Sequence, residues 1–219
     1  MQITWYGQSC FKIVSGQSSI IIDPFNKSIG LTPPRGKSDI LLVSDNTIVE
    51  SDYSQIDANF VISGAGEYEV GGVYVNGMSA FNLDENGNVI NRSIMYVITI
   101  EGMRICHLSN FSDEQVTELL DKIGQVDILM IPVGGDYVVN GNKISSLDSE
   151  KAIKVTSEID PRVVIPMNFK IPKLSLDLGS VDGFMKASGS TDISPVEKYT
   201  IKKKDLPNDG REVVLMNLV

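Results

Sequence analysis

Apolar and polar positions alternate over short distances in the first half of the chain and over longer ones in the second. "ITWYG" and "CFKIV" are followed by the turn "SGQSS" and by "IIID", which stops at Asp23-Pro24. Short runs of this kind, closed by turn formers, predict a meander of antiparallel strands. A loop containing Gly30, Pro33, Pro34 and Gly36 leads into "DILLVS". Further strands are predicted at "FVIS", "GVYVNGM", "IMYVITI" and "MRICHL", the last two joined by the turn Glu101-Gly102. Asn86-Gly87-Asn88 marks another hairpin-like reversal.

The period then lengthens. "SDEQVTELLDKIG" opens at Ser112 with a Ser-x-x-Gln capping box and places Val116, Leu119, Leu120 and Ile123 on one face. It stops at Gly124, so a helix is predicted. "VDILMIPVGG" is apolar on both faces, as a covered central strand should be. "SLDSEKAIKVTSEI" reads as a second helix ending before Pro161, and the buried strand "RVVIPM" follows. A shorter helix around "VDGFMKAS" and strands near "KYTIKK" and "EVVLMNL" complete the pattern. Hairpins alternating with helices that must each cover a sheet face predict an α/β-β/α sandwich of two mixed sheets with outer helices. With no repeat and no linker, residues 1–219 read as one domain.

Composition narrows the function classes. Nineteen basic and 28 acidic residues give a net charge of -9, which argues against a nucleic-acid partner because counterion release requires a basic footprint. The basic run Lys202 to Lys204 is followed by Asp205 and reads as a solvated strand edge. No apolar run approaches membrane-spanning length, and the N-terminal segment lacks the basic and apolar regions of an export signal, so the cytoplasm is the expected location. The cysteines, Cys10 and Cys106, lie in strand-like runs and are expected to be reduced and buried.

The order of segments resembles the metallo-β-lactamase-fold hydrolases, in particular their small zinc-dependent hydrolase branch. Seven segments carry the likeness over nearly the whole chain: "ITWYGQSCFKI", "IIIDPF", "DILLVS", "ISGAGEYEVGGVYVNGM", "GMRICHLSN", "VDILMIPVGG" and "VVIPMNFK". In that family the strand corresponding to "DILLVS" delivers a His-x-His-x-Asp-His loop, and later strand ends bring a histidine, an aspartate and a further histidine. Imidazoles and a bridging carboxylate hold zinc, leave a position for water and lower the pKa of that water.

Carried across by this resemblance, the loop positions fall on Asp45, Thr47, Val49 and Glu50. The later histidine, aspartate and histidine fall on Asn82, Asn110 and Asn168, and the family's opening Gly-His-Ser histidine falls on Gln8. The chain contains one histidine, His107, so an imidazole cluster cannot be assembled from one copy. His107 itself reads as a hydrogen-bonded histidine in or beside the core. Asp23 matches the family's aspartate behind the metal ligands, although Asp-Pro at a strand end is also ordinary turn chemistry.

Two functional expectations follow. The first is a protein that has lost its zinc ligands and carries no cofactor, catalytically inactive, binding an unidentified small molecule or protein partner, or a second copy of itself. Asp45, Thr47, Glu50, Asn82, Asn110 and Asn168 would then line a relic cleft. The alternative is a divergent metal-dependent hydrolase holding Mg2+, Ca2+ or Mn2+ through Asp45, Glu50, Asn82, Asn110 and Asn168, since carboxylates and amide carbonyls are hard oxygen donors. Asp45 and Glu50 also suit a metal-free acid-base pair, or simple capping of a loop. "SGAGEYEVGG" lacks the basic residue and helix start of a phosphate cradle, and its glycines read as tight turns between strands.

Overall fold

Residues 1–44, 52–83, 89–111, 116–139 and 141–219 are described by the structure, a computed structural model. In chain order the strands are β1 (Gln2–Gly7), β2 (Cys10–Ser15), β3 (Ser18–Ile22), β4 (Gly36–Leu42), β5 (Ile56–Ile62), β6 (Gly66–Val70), β7 (Val73–Leu83), β8 (Val89–Ile100) and β9 (Met103–His107). They continue with β10 (Ile128–Pro132), β11 (Tyr137–Val139), β12 (Asn142–Ile144), β13 (Val163–Met167), β14 (Lys198–Thr200) and β15 (Glu212–Val213). The helices are α1 (Val116–Ile123), α2 (Ser149–Ile159) and α3 (Asp182–Ala187).

Two mixed sheets result. The first runs β14-β1-β2-β3-β4-β5, antiparallel from β14 to β3 and parallel from β3 to β5. The second runs β15-β13-β10-β9-β8-β7-β6, antiparallel from β6 to β9 and parallel from β9 through β10 and β13 to β15. Parallel neighbours need a crossover, which α1 supplies between β9 and β10 and α2 between β10 and β13. β10 and β13 are accordingly buried at every position, whereas β1 buries alternate residues, Ile3, Trp5 and Gly7. One apolar cluster joins the sheets, including Trp5, Phe11 and Ile20 from the first and Met95, Tyr96 and Ile105 from the second.

Local chemistry explains the ends of the helices. Asp148 caps α2 by accepting from the Lys151 amide, and α2 closes on Asp160 in the left-handed conformation just before Pro161. Gly124, at φ 62°, ends α1 with its amide on the Leu120 carbonyl. Leu119 and Ile123 are buried as predicted, while the capping box at Ser112 lies outside the described residues, as does the Asn86-Gly87-Asn88 turn.

Three details differ from the pattern reading. "GEYEV" is a strand rather than a set of turns: β6 pairs with β7 across Gly71-Gly72, where φ values of 58° and 80° give the backbone twist that a two-residue hairpin requires. Its apolar signal is weak because it is an edge strand with two outward glutamates, Glu67 and Glu69. The β11–β12 hairpin has three-residue strands, too short to show a period. Lys202 to Lys204 is not a strand edge; β14 ends at Thr200 and a 3-10 turn spans Lys203–Asp205, with the Lys203 ammonium donating to the Gly102 carbonyl. No helix among the described residues is long and apolar enough to cross a membrane.

Tyr96 on β8 donates its hydroxyl to the carbonyls of Val43 (2.8 Å) and Ile62 (3.1 Å), fastening the second sheet to the ends of β4 and β5. Tyr96→Phe preserves the ring but leaves the buried Val43 carbonyl without this donor. The expected loss is about 1–2 kcal/mol of unfolding free energy, read from urea denaturation with an unchanged slope.

Candidate functional site

The C-terminal ends of β3, β4, β9 and β13, together with the β1–β2 turn, converge on a buried polar zone. Each end has a tight local geometry. Of the seven non-glycine residues with positive φ among the described residues, four stand here: Gln8 (51°), Asp23 (46°), Ser109 (54°) and Asn168 (51°). The left-handed region costs an L-residue about 1–2 kcal/mol, so this backbone persists because its surroundings hold it.

Those surroundings are specific. Asp23 accepts from the Ser44 amide at 2.7 Å and from the Ser44 hydroxyl at 2.6 Å. The Ser44 hydroxyl also lies 2.5 Å from that of Ser109. Because the single proton of Ser44 is committed to the carboxylate, Ser109 must be the donor in that contact. The Ile94 amide donates to the Ser44 carbonyl at 2.7 Å, so Ser44 ties β4 to both β8 and the end of β9.

One residue beyond Ser109, the Asn110 carboxamide oxygen accepts from Asn168 Nδ2 at 2.9 Å and from the Tyr137 hydroxyl at 3.1 Å. Asn110 and Asn168 are buried, and Asn168 Oδ1 has no hydrogen-bond partner. The Asn168 amide donates to the Gln8 carbonyl, which also accepts from the Trp5 indole at 2.8 Å. Gln8 is buried too, and its Nε2 is unpartnered. Gly134, after β10, is required by this packing: a Cβ there would meet the Asn168 carbonyl oxygen at 2.2 Å.

Of the six residues expected to line the cleft, the structure joins Asn110 and Asn168 by a hydrogen bond. Asp45, Thr47, Val49 and Glu50 lie outside the described residues. Asn82 stands on β7 opposite Asn91, and its side chain is likewise outside the description. Ser44, Ser109 and Tyr137 were not singled out by sequence. The signal for Ser44 was its position directly after the apolar run "DILLV"; Ser109 and Tyr137 carried none, because their contacts are 65 and 27 residues distant in sequence.

The donor chemistry decides which ion these residues fit. His107 is fully buried, with Nε2 2.8 Å from the Ser9 carbonyl and its ring edge-on to Phe11. A carbonyl only accepts, so Nε2 carries the proton and Nδ1 a lone pair without a hydrogen-bond partner. Burial holds the Cys10 thiol well above its usual pKa and pushes Cys106 up to about 12, so neither supplies a ready thiolate. Among the described residues no group of three or more His, Cys, Asp or Glu could hold a metal. The residues do not fit a zinc centre built from imidazoles. An orphaned, buried amide oxygen on Asn168 fits an oxygen-preferring cation.

Burial, the largest influence, holds the His107 imidazole below its ordinary pKa; the Asp23 charge acts the other way. The unfolded chain therefore takes up this proton first. The stabilisation is fully present above pH 6.5 and is lost as pH falls below it toward the folded value, at up to about 1.4 kcal/mol per pH unit. Urea midpoints measured at pH 7.5, 6.5 and 5.5 should fall more steeply for the native chain than for His107→Gln.

Known proteins share the fold. Residues 2–168 match the model of a beta-lactamase superfamily domain. A UPF0173 metal-dependent hydrolase of Thermoplasma acidophilum is 24% identical over 198 residues, covering 77% of this chain and 83% of its own. A UPF0173 protein of Pyrococcus abyssi is 25% identical over 97% of this chain and all of its own. Among solved structures, a Thermotoga maritima protein described as a candidate zinc-dependent hydrolase of the metallo-β-lactamase superfamily superposes with a TM-score of 0.74 at 28% identity, over 98% of this chain and 97% of that one. These relatives correct two expectations, that of an inactive, zinc-less binding protein and that of a chain without a metal cofactor: proteins aligned along most of the chain are named metal-dependent hydrolases. The inference from missing imidazoles reached too far, because it judged activity from one type of ligand alone, whereas oxygen donors also hold divalent ions. With residues 2–168, three-quarters of its length, matching the family model, the chain belongs to the metallo-β-lactamase superfamily.

Proposed function

We propose that the protein is a metal-dependent hydrolase whose cleft holds an oxygen-preferring divalent cation, Mg2+, Ca2+ or Mn2+, in place of an imidazole-bound zinc. The observation that carries this reading is the buried Asn168 Oδ1. It stands just after β13, at the last residue that the family model matches, and among the described residues no group satisfies it. A buried unpaired acceptor costs about 1–3 kcal/mol, and a bound cation would remove that cost. The ion, when bound, would polarise a substrate oxygen and acidify a water.

The chain's own residues have definite tasks in this reading. Asn168 Nδ2 is committed to Asn110, which turns Asn168 Oδ1 away from that contact. Tyr137 supports Asn110 from its other side. The Asp23–Ser44–Ser109 chain fixes the left-handed backbone that presents Asn110. Asp45 and Glu50 are the carboxylates that sequence adds as candidate ligands, with Thr47 and Asn82 as further oxygen donors.

The test is the metal content of the untagged protein after loading separately with Mg2+, Ca2+, Mn2+ or Zn2+ and dialysis, paired with turnover of p-nitrophenyl acetate and bis(p-nitrophenyl) phosphate. The expected result is one equivalent of an oxygen-preferring ion, metal-dependent turnover, and affinity lowered about tenfold or more by Asn168→Ala. Absence of both bound ion and metal-dependent turnover would overturn the reading.

A further inference from the structure

Each of the two large sheets ends in two outer strands, and three of these four are guarded. β6 carries the exposed glutamates Glu67 and Glu69, β14 is three residues long with the exposed Lys198, and β15 has two residues, one of them the exposed Glu212. Short length and charge are ordinary means of keeping an open strand edge from pairing with another chain. β5 has neither protection. Its seven residues, Ile56–Ile62, include one charge, Asp57, and no lysine or proline, and they expose Phe60 (45%) and Val61 (47%).

The exposed pair extends two apolar clusters to the edge. In the parallel register with β4, Phe60 lies beside Ile40 and Val61 beside Leu41. Ile40 belongs to the core between the sheets, and Leu41 to a separate cluster with Ile21 and Val43. Successive residues face opposite sides of a strand, so each cluster ends in an uncovered side chain. The backbone is open as well. The Ile62 carbonyl accepts from the Val43 amide at 2.9 Å, which turns Ile62 toward β4; alternation then points the amides and carbonyls of Asn59 and Val61 away from β4. Among the described residues no strand pairs with that side.

The strand is also complementary to itself. Set antiparallel to its own copy about a two-fold axis at Asn59, Asp57 faces Val61, Ala58 faces Phe60 and Ile56 faces Ile62. The single charge does not meet its copy, which matters in a chain of net charge -9, and the largest side chain of the strand meets the smallest. The outward groups of Asn59 and Val61 fall at the hydrogen-bonded positions of such a pair.

We infer that β5 is the interface of a two-fold dimer, in which the β5 strands of two copies of this chain pair antiparallel and join their first sheets into one. A two-fold axis uses the same edge of both copies, so the assembly closes at two, and the edge left at each end is the guarded β14. This interface stands whether or not the protein is a hydrolase.

Sedimentation velocity of the untagged chain over a roughly hundredfold range of concentration tests it. The native chain should form a dimer at the upper end. Val61→Glu places a carboxylate opposite Asp57 twice in each dimer and should weaken association about tenfold or more. Adding Asp57→Lys to Val61→Glu turns both contacts into opposite-charge pairs and should restore the dimer. Both side chains are exposed, and far-UV circular dichroism checks that the variants fold. Hydrogen exchange of the native chain needs no variant: the Asn59 and Val61 amides should exchange more slowly as the dimer forms. A monomer throughout, species larger than a dimer, a dimer indifferent to Val61→Glu, a loss that Asp57→Lys does not reverse, or Asn59 and Val61 amides unprotected in the dimer would each overturn the inference.

Discussion

The structure turns on the junction at Ser44, where the end of β4 is hydrogen-bonded to three other parts of the molecule. The serine hydroxyl bridges Asp23 and Ser109, its amide is held by Asp23, and its carbonyl receives the Ile94 amide. One residue earlier, the Val43 carbonyl receives Tyr96. Apolar packing between the sheets is strong but nondirectional and would tolerate sliding. Buried hydrogen bonds are directional and costly to leave unmade, so they fix how the strand ends of one sheet meet those of the other.

That registration has a chemical consequence. Gln8, the Ser109–Asn110 pair and Asn168 lie far apart in sequence yet are all buried, with three of the four residues in the left-handed region. Asparagine tolerates this conformation better than most residues, because its short polar side chain can hydrogen-bond locally. Amides thus suit the strained positions as well as the polar ones, and they retain oxygen donors where imidazoles would have supplied nitrogen.

The unpaired atoms give the site its direction. Asn168 Oδ1, an acceptor, and Gln8 Nε2, a donor, are both buried and without a hydrogen-bond partner. His107 is close in sequence to Asn110 but faces the Ser9 carbonyl and Phe11, and burial keeps it neutral. Cys10 and Cys106 are buried without a route to thiolate. His107 and the two cysteines are therefore packed in the core, and the buried amides of Gln8, Asn110 and Asn168 are the polar groups gathered at the strand ends.

Much of the fold was legible in the sequence. The meander β1–β3, the covered strands β10 and β13 and the three helices appear as periods of apolar residues, since each is long enough to show one. β6 and the β11–β12 hairpin were not, because an edge strand with outward glutamates and three-residue strands carry almost no pattern. For the site, sequence singled out Asn110 and Asn168 among its cleft candidates and noted Gln8 only where the family's opening histidine falls; it excluded an imidazole cluster by counting a single histidine, and from that concluded too much about activity. The tertiary structure alone decided that Asn110 Oδ1 gathers two donors, that Ser109 must donate to Ser44, and that Asn168 Oδ1 and Gln8 Nε2 remain unsatisfied. Composition and period fix which residues are present and which face is buried, whereas hydrogen-bond saturation depends on partners tens of residues away and exists only once the sheets have met.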